Sequence, residues 1–175
     1  SVFLDISKAF DKVWHDGLIY KLKRIGITDN VLNILIDFLT NRKQRVVLNG
    51  HNSSWKDIRA GVPQGSILGP LLFLIYINDL TDGIKSDVKI FADDTSLFST
   101  VFDEQASAYD LNNDLKIINS WANQWKMNFN PDPSKQAQEV TFSRKVSKAN
   151  HPTLFFNNNP VTESLHQKNL SGAFR

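Results

Sequence analysis

The chain has 175 residues, of which 41% are hydrophobic and 11% aromatic. That is enough for one folded domain with a sizeable core, and it excludes a disordered segment. Zero cysteines exclude disulfides and thiolate metal centres, leaving oxygen ligands for any metal, and a net charge of +2 is compatible with nucleic acid without arguing for it.

Residues 2–6 are an apolar run that contains Asp5, which places this acid at the end of a strand, beside a loop. Residues 17–25 predict a short amphipathic helix stopped at Gly26, with Leu18, Leu22 and Ile25 on one face. Thr28 or Asp29 caps a second helix running to Leu39, with Leu32, Leu35, Ile36 and Leu39 inward. Residues 44–48 and 54–58 read as a hairpin around Asn49-Gly50. The basic groups Lys21, Lys23, Arg24, Arg42, Lys43 and Arg45 can touch phosphate, although a solvated face is the plainer account of them.

Next comes Gly61-Val62-Pro63-Gln64-Gly65-Ser66, a turn punctuated by Gly and Pro. The apolar run after it, residues 67–77, is too short to span a bilayer and predicts a buried helix over residues 66–80, entered with a kink or an irregular turn near Gly69-Pro70. Residues 87–99 alternate as two short strands with Asp93-Asp94 at the turn between them. Adjacent carboxylates repel, and a fold keeps them together most readily when a cation such as Mg²⁺ neutralises them. Taken alone, the pair is equally well explained as an ordinary Asp-rich turn.

A long helix follows over residues 103–127, and its stripe of Ala108, Leu111, Leu115, Ile118, Ala122 and Trp125 reads as core packed on a sheet. Residues 137–142 and 153–156 predict strands, residues 157–160 a turn, and residues 160–162 and 169–174 weaker strands. Arg144, Lys145 and Lys148 read as a solvated linker, Asp11 and Asp16 as surface or capping acids. The four histidines (15, 51, 151, 166) show no metal-ligand spacing. The whole is an α+β chain with a mainly antiparallel sheet backed by helices.

Three segments taken together say more than each alone. The run Phe3-Leu4-Asp5 to Asp11, the loop from Gly61 to Ser66, and Phe91-Ala92-Asp93-Asp94 resemble, in order and spacing, the palm of reverse transcriptases from non-LTR, jockey-like retrotransposons. The resemblance continues through Trp121, Trp125-Lys126-Met127-Asn128-Phe129-Asn130 and Ser134-Lys135 and covers nearly the whole chain. It implies one partial domain over residues 1–175, a palm running into the start of a primer grip, with fingers and thumb missing. The opening on Ser1-Val2, with no methionine and no signal peptide, fits that expectation of a fragment.

The resemblance also implies the chemistry. Two Mg²⁺ ions, with Mn²⁺ as a substitute, serve nucleotidyl transfer from deoxynucleoside triphosphates onto a DNA primer or target along an RNA template. Asp5 and Asp93 bridge the ions, Asp94 supports the primer side, and the carbonyl of Ile6 is an extra ligand. The amides of Lys8 and Ala9 meet the triphosphate. The ring of Phe10 lies under the ribose and excludes a 2′-hydroxyl. Gln64 and Gly65 lie near nucleotide and template, and Lys135 protonates the departing pyrophosphate. For each there is a plainer role: strand-end acid for Asp5, core for Phe10, helix-entry turn for Gln64-Gly65, surface lysine for Lys135. The family implies an intracellular setting, nuclear and in a cytoplasmic ribonucleoprotein, with no membrane.

One departure stands out. The family closes its palm with a Leu-Gly pair, whereas Ser171 separates Leu170 from Gly172 here. That leaves a second reading, a catalytically silent remnant or nucleic-acid-binding scaffold of a decayed element. A third, another two-metal palm enzyme such as a nucleotide cyclase, is opposed by the loop at residues 61–69.

Overall fold

The computed structural model describes residues 1–143 and 152–164 and divides into two compact units. The first comprises Ser1–Ser7, Leu80–Gln124 and Asn128–Arg175; the second comprises Lys8–Asp79 and Trp125–Met127.

The first unit is built on a five-stranded sheet in the order β11-β8-β1-β7-β6. Its members are β1 (Val2–Asp5), β6 (Asp87–Phe91), β7 (Asp94–Phe98), β8 (Ala137–Glu139) and β11 (Thr162–Glu163). All neighbours are antiparallel except β11 beside β8. The apolar alternation read from the sequence is what fixes this register: Val2 and Leu4 are buried, and Val2 lies opposite buried Leu97. The helix α4 (Glu104–Gln124) buries the predicted stripe of Ala108, Leu111, Leu115, Ile118 and Ala122. Asp103 caps it by accepting from the amides of Gln105 and Ala106. On the same helix the fully buried Asp114 is satisfied by the amides of Lys85 and Ser86 and the Ser86 hydroxyl.

The second unit packs α1 (His15–Arg24) against α2 (Asp29–Leu39) and α3 (Leu68–Ile77). Leu18, Leu22, Leu39, Leu72, Phe73 and Tyr76 are fully or almost fully buried. Lys21 is buried too, donating to the Tyr76 carbonyl and to Asp79 while its ammonium lies 3.7 Å from the Trp125 ring centroid.

Several boundaries differ from expectation, each for a local reason. The hairpin at 44–48 and 54–58 is broken into two pairs, β2 (Lys43–Gln44) with β5 (Lys56–Asp57) and β3 (Val47–Leu48) with β4 (His51–Asn52). The turn Asn49-Gly50 is as predicted, both residues having positive φ. Pro70 sits in the first turn of α3, where its missing N–H costs nothing, so no kink is needed, and the helix passes into a 3₁₀ turn at Asn78–Thr81. Lys126, with φ 55, stops the long helix short of residue 127. Thr28 does not cap α2; its hydroxyl donates to the Asp29 carboxylate instead.

The strand expected over 137–142 is only Ala137–Glu139. Phe155–Phe156 (β9) pairs with Asn159–Pro160 (β10) across Asn157-Asn158. The strand expected at 160–162 is therefore divided between β10 and β11. Arg144, Lys145, Lys148 and residues 169–174, including the Leu170-Ser171-Gly172 departure, lie outside the described residues.

Candidate active site

In the first unit, β1 ends at Asp5, and its Cα partner across the sheet is Asp94, the first residue of β7. Directly opposed residues of an antiparallel pair project to the same face, so these two carboxylates share a side of the sheet. Asp93 belongs to the two-residue turn joining Phe91 to Asp94. That turn is tight: Ala92, the other turn residue, has φ 54, a conformation costing about 1–2 kcal/mol for a residue with a Cβ. The proximity of the acids shows in their electrostatics. Burial first, then the charges of Asp93 and Asp5, hold the Asp94 carboxyl above the usual carboxylate range.

A fourth residue, missed from the sequence, fixes Asp5. Asn130 donates from Nδ2 to Asp5 Oδ2 at 2.7 Å, and its backbone N–H donates to the Asp5 carbonyl at 2.9 Å. Its own Oδ1 accepts from the Asp132 amide, so the side chain is held at both ends. The isolated bridge between Ile6 and Phe129 lies between this bond and that from the Ser7 amide to the Asn128 carbonyl. Neither bond uses the Ile6 carbonyl. The signal was present in the alternation Asn128-Phe129-Asn130 around a buried aromatic, but nothing local says which partner such an amide seeks.

Lys135 lies on the same unit, in the short helix α5 (Pro133–Gln136), exposed and 3.4 Å from Asp132. Hydrogen bonds from the Ser134 hydroxyl and amide, with Lys135 adding to them, hold the Asp132 carboxyl below its ordinary range.

The remaining predicted residues belong to the second unit. Lys8 takes a left-handed conformation (φ 51, ψ 48) and leads into a 3₁₀ turn, Ala9–Lys12, a succession that turns consecutive N–H groups the same way. Phe10 is half-buried and stacked on Phe73, with centroids 4.5 Å apart. Gln64 is exposed and donates to Asp11 Oδ1 at 2.9 Å, which gives Asp11 a partner that the sequence did not disclose.

The loop carrying Gln64 and Gly65 is strapped to residues 10–15. The amides of Gly61 and Val62 donate to the carbonyls of Val13 and Phe10, and the His15 ring meets the Gly61 carbonyl at 2.8 Å. Gly61 has to be glycine: its φ is +89°, and a Cβ there would lie 2.8 Å from the Asp11 carbonyl oxygen.

The donor set is one of carboxylate oxygens, which suits a hard cation. Among the described residues no group of three or more His, Cys, Asp and Glu side chains forms a ready-made metal cage. Also among the described residues, no helix is long and apolar enough to cross a membrane.

A strand-end acid opposite Asp94, with Asp93 in the adjoining turn, is the candidate site of this α+β fold. Comparison of sequences supplies the family. The profile described as reverse transcriptase (RNA-dependent DNA polymerase) matches residues 1–148, and the chain belongs to that family. It is 36% identical over 152 residues to the RNA-directed DNA polymerase from mobile element jockey of Drosophila melanogaster, covering 82% of this chain and 16% of that protein. To the probable RNA-directed DNA polymerase from transposon X-element of the same fly it is 32% identical over 175 residues, 97% of this chain and 19% of the relative. A Pol polyprotein from the type-1 retrotransposable element R2 of Popillia japonica is 33% identical over 86 residues, 49% of this chain and 14% of the relative. The chain is thus of the jockey-like, non-LTR kind, and it spans under a fifth of the length of these relatives.

Proposed function

We propose that this chain supplies the palm of an RNA-directed DNA polymerase from a mobile element, and that Asp5, Asp93 and Asp94 are its metal-binding acids. The observation that carries the reading is the register that sets Asp5 opposite Asp94 with Asp93 in the adjoining turn. Asp5 and Asp93 hold the metal, Asp94 supports it, and the Ile6 carbonyl is available as a further oxygen. Mg²⁺, when bound, activates the primer hydroxyl and neutralises the triphosphate and its leaving oxygens.

The other roles fall to the chain's own groups. Asn130 keeps one Asp5 oxygen occupied, so that the carboxylate presents its other oxygen in a fixed direction. The amides of Lys8 and Ala9 offer hydrogen bonds to triphosphate oxygens, and the ring of Phe10, braced by Phe73, leaves no room for a ribose 2′-hydroxyl. Gln64 and Gly65 serve the template side. Lys135 hands a proton to the departing pyrophosphate. The substrates are deoxynucleoside triphosphates, an RNA template and a DNA primer, as expected from the names of the relatives.

The test is a jockey polymerase in which this chain replaces the corresponding segment, assayed for primer extension on an RNA template with Mg²⁺. Asp93→Asn should abolish extension, and Phe10→Val should admit ribonucleotides. Extension undiminished by Asp93→Asn, in a chimera active with the intact segment, would overturn the proposal.

A further inference from the structure

The ribbon between α2 and α3 is used by none of the chemistry above. Residues 42–59 hold five Lys and Arg against one Asp, a net of +4, although the whole chain carries only +2; the rest of it is net acidic. The single acid, Asp57, is engaged by Lys43 at 3.7 Å. Arg45, Lys56 and Arg59 are exposed and have no ion-pair partner among the described residues. At the ribbon's root, Arg42 carries an Nη1 shielded from water with no hydrogen-bond partner.

The ribbon is also unusually apolar for an exposed arm: Val47 is 61%, Leu48 68% and Trp55 57% exposed. Its geometry explains the display. In β3–β4 Val47 faces Asn52, whereas in β2–β5 Gln44 faces Lys56, so the second strand holds one residue more than the first between these pairs. That is a β-bulge at Ser54-Trp55, and a bulge re-aims a side chain out of the ladder. The guanidinium of Arg45 stacks over the Trp55 ring at 4.7 Å. Stacked in this way, a guanidinium keeps its edge N–H groups for phosphate oxygens.

We infer that this ribbon is a second nucleic-acid contact, gripping a single strand independently of sequence through its phosphates and by stacking a base beside Trp55. Cations that track a backbone beside an aromatic platform are what such binding requires. Nothing in the ribbon reads a 2′-hydroxyl, so RNA and DNA of one sequence should bind alike. The inference is independent of the metal reading, because none of these residues is among the acids.

The experiment is fluorescence anisotropy of labelled 20-nucleotide oligo-U and oligo-dT with the 175-residue chain, from about 50 to 200 mM salt without Mg²⁺. Both should bind within about threefold of each other. Arg45→Gln with Lys56→Gln should weaken binding at least tenfold and reduce the log–log salt slope by about 1.4, the contribution of two phosphate contacts to a single strand. Trp55→Ala should weaken it about tenfold with the slope unchanged, as loss of one stacked base does. Binding is read without Mg²⁺ and with the three acids intact, so failure here and failure of the catalytic reading are separable. All these positions are exposed, so melting temperatures should stay within a few degrees. Should Trp55→Ala fail to fold, Trp55→Phe must retain most of the affinity. Unchanged binding by the Gln double variant overturns the inference. So does equal or tighter binding to anionic phosphatidylserine vesicles lost in the same variants, which would make the ribbon a membrane contact.

Discussion

Asn130 and Asp5, 125 positions apart in the chain, are joined twice: side chain to side chain at 2.7 Å and backbone to backbone at 2.9 Å. A hydrogen bond to a carboxylate is worth about 1.5–3 kcal/mol, so Asn130→Ala should cost about 2 kcal/mol in urea unfolding. Asn130→Asp keeps the acceptor for the Asp132 amide but sets one carboxylate against another. It should cost more than Ala at pH 7. Equal costs for the two variants would show that the bond does not form.

Asp94 gives a dependence on pH. Its folded-state carboxyl lies above the usual range, chiefly through burial and then through Asp93 and Asp5. Between the ordinary carboxylate value and that raised value the folded chain binds more protons than the unfolded one, so stability falls as pH rises through the window. Asp94→Asn should flatten this limb. A melting temperature that climbs across the same window in the wild type, and equally in the variant, would contradict the clustering of the three acids.

Tyr76 tests the second unit at the alkaline end. It is fully buried and donates to the Trp125 carbonyl, and burial, with Asp79 adding to it, pushes its hydroxyl up to about 12. Unfolded tyrosine ionises near its usual 10, so the unfolded chain loses the proton first and stability falls between pH 10 and 12. Tyr76→Phe should be less stable at pH 7 by about 1–2 kcal/mol and should lack this alkaline loss. Parallel profiles for the two proteins would remove the hydrogen bond from the account.

The sequence disclosed whatever is decided within a few residues. The strand at Asp5 and the Asp-Asp hairpin followed from apolar alternation and turn chemistry, as did the turn at Asn49-Gly50. The α4 stripe followed from helical spacing. What stayed hidden depends on distant partners. Asn130 finds Asp5 only when the sheet is formed, and Gln64 finds Asp11 only once the loop is strapped to residues 10–15. The bulge at Trp55 is a mismatch of one residue between two short ladders, invisible to a pattern with period two. The parallel seat of β11 beside β8 had no sequence signature at all. Among the acids the motif did not state the arrangement: Asp94, not Asp93, lies opposite Asp5 across the strands.

The most direct test of the central claim is the thermal shift of the chain on adding 10 mM Mg²⁺, measured for the wild type and for Asp93→Asn at neutral pH. A cation that binds the folded acids stabilises the fold by mass action, about 2.7 kcal/mol at a hundred times its dissociation constant. The account predicts a rise of several degrees in the wild type and none in Asp93→Asn, where a neutral amide replaces a hard ligand. A wild-type melting curve unmoved by Mg²⁺, or an equal rise in the variant, would contradict it.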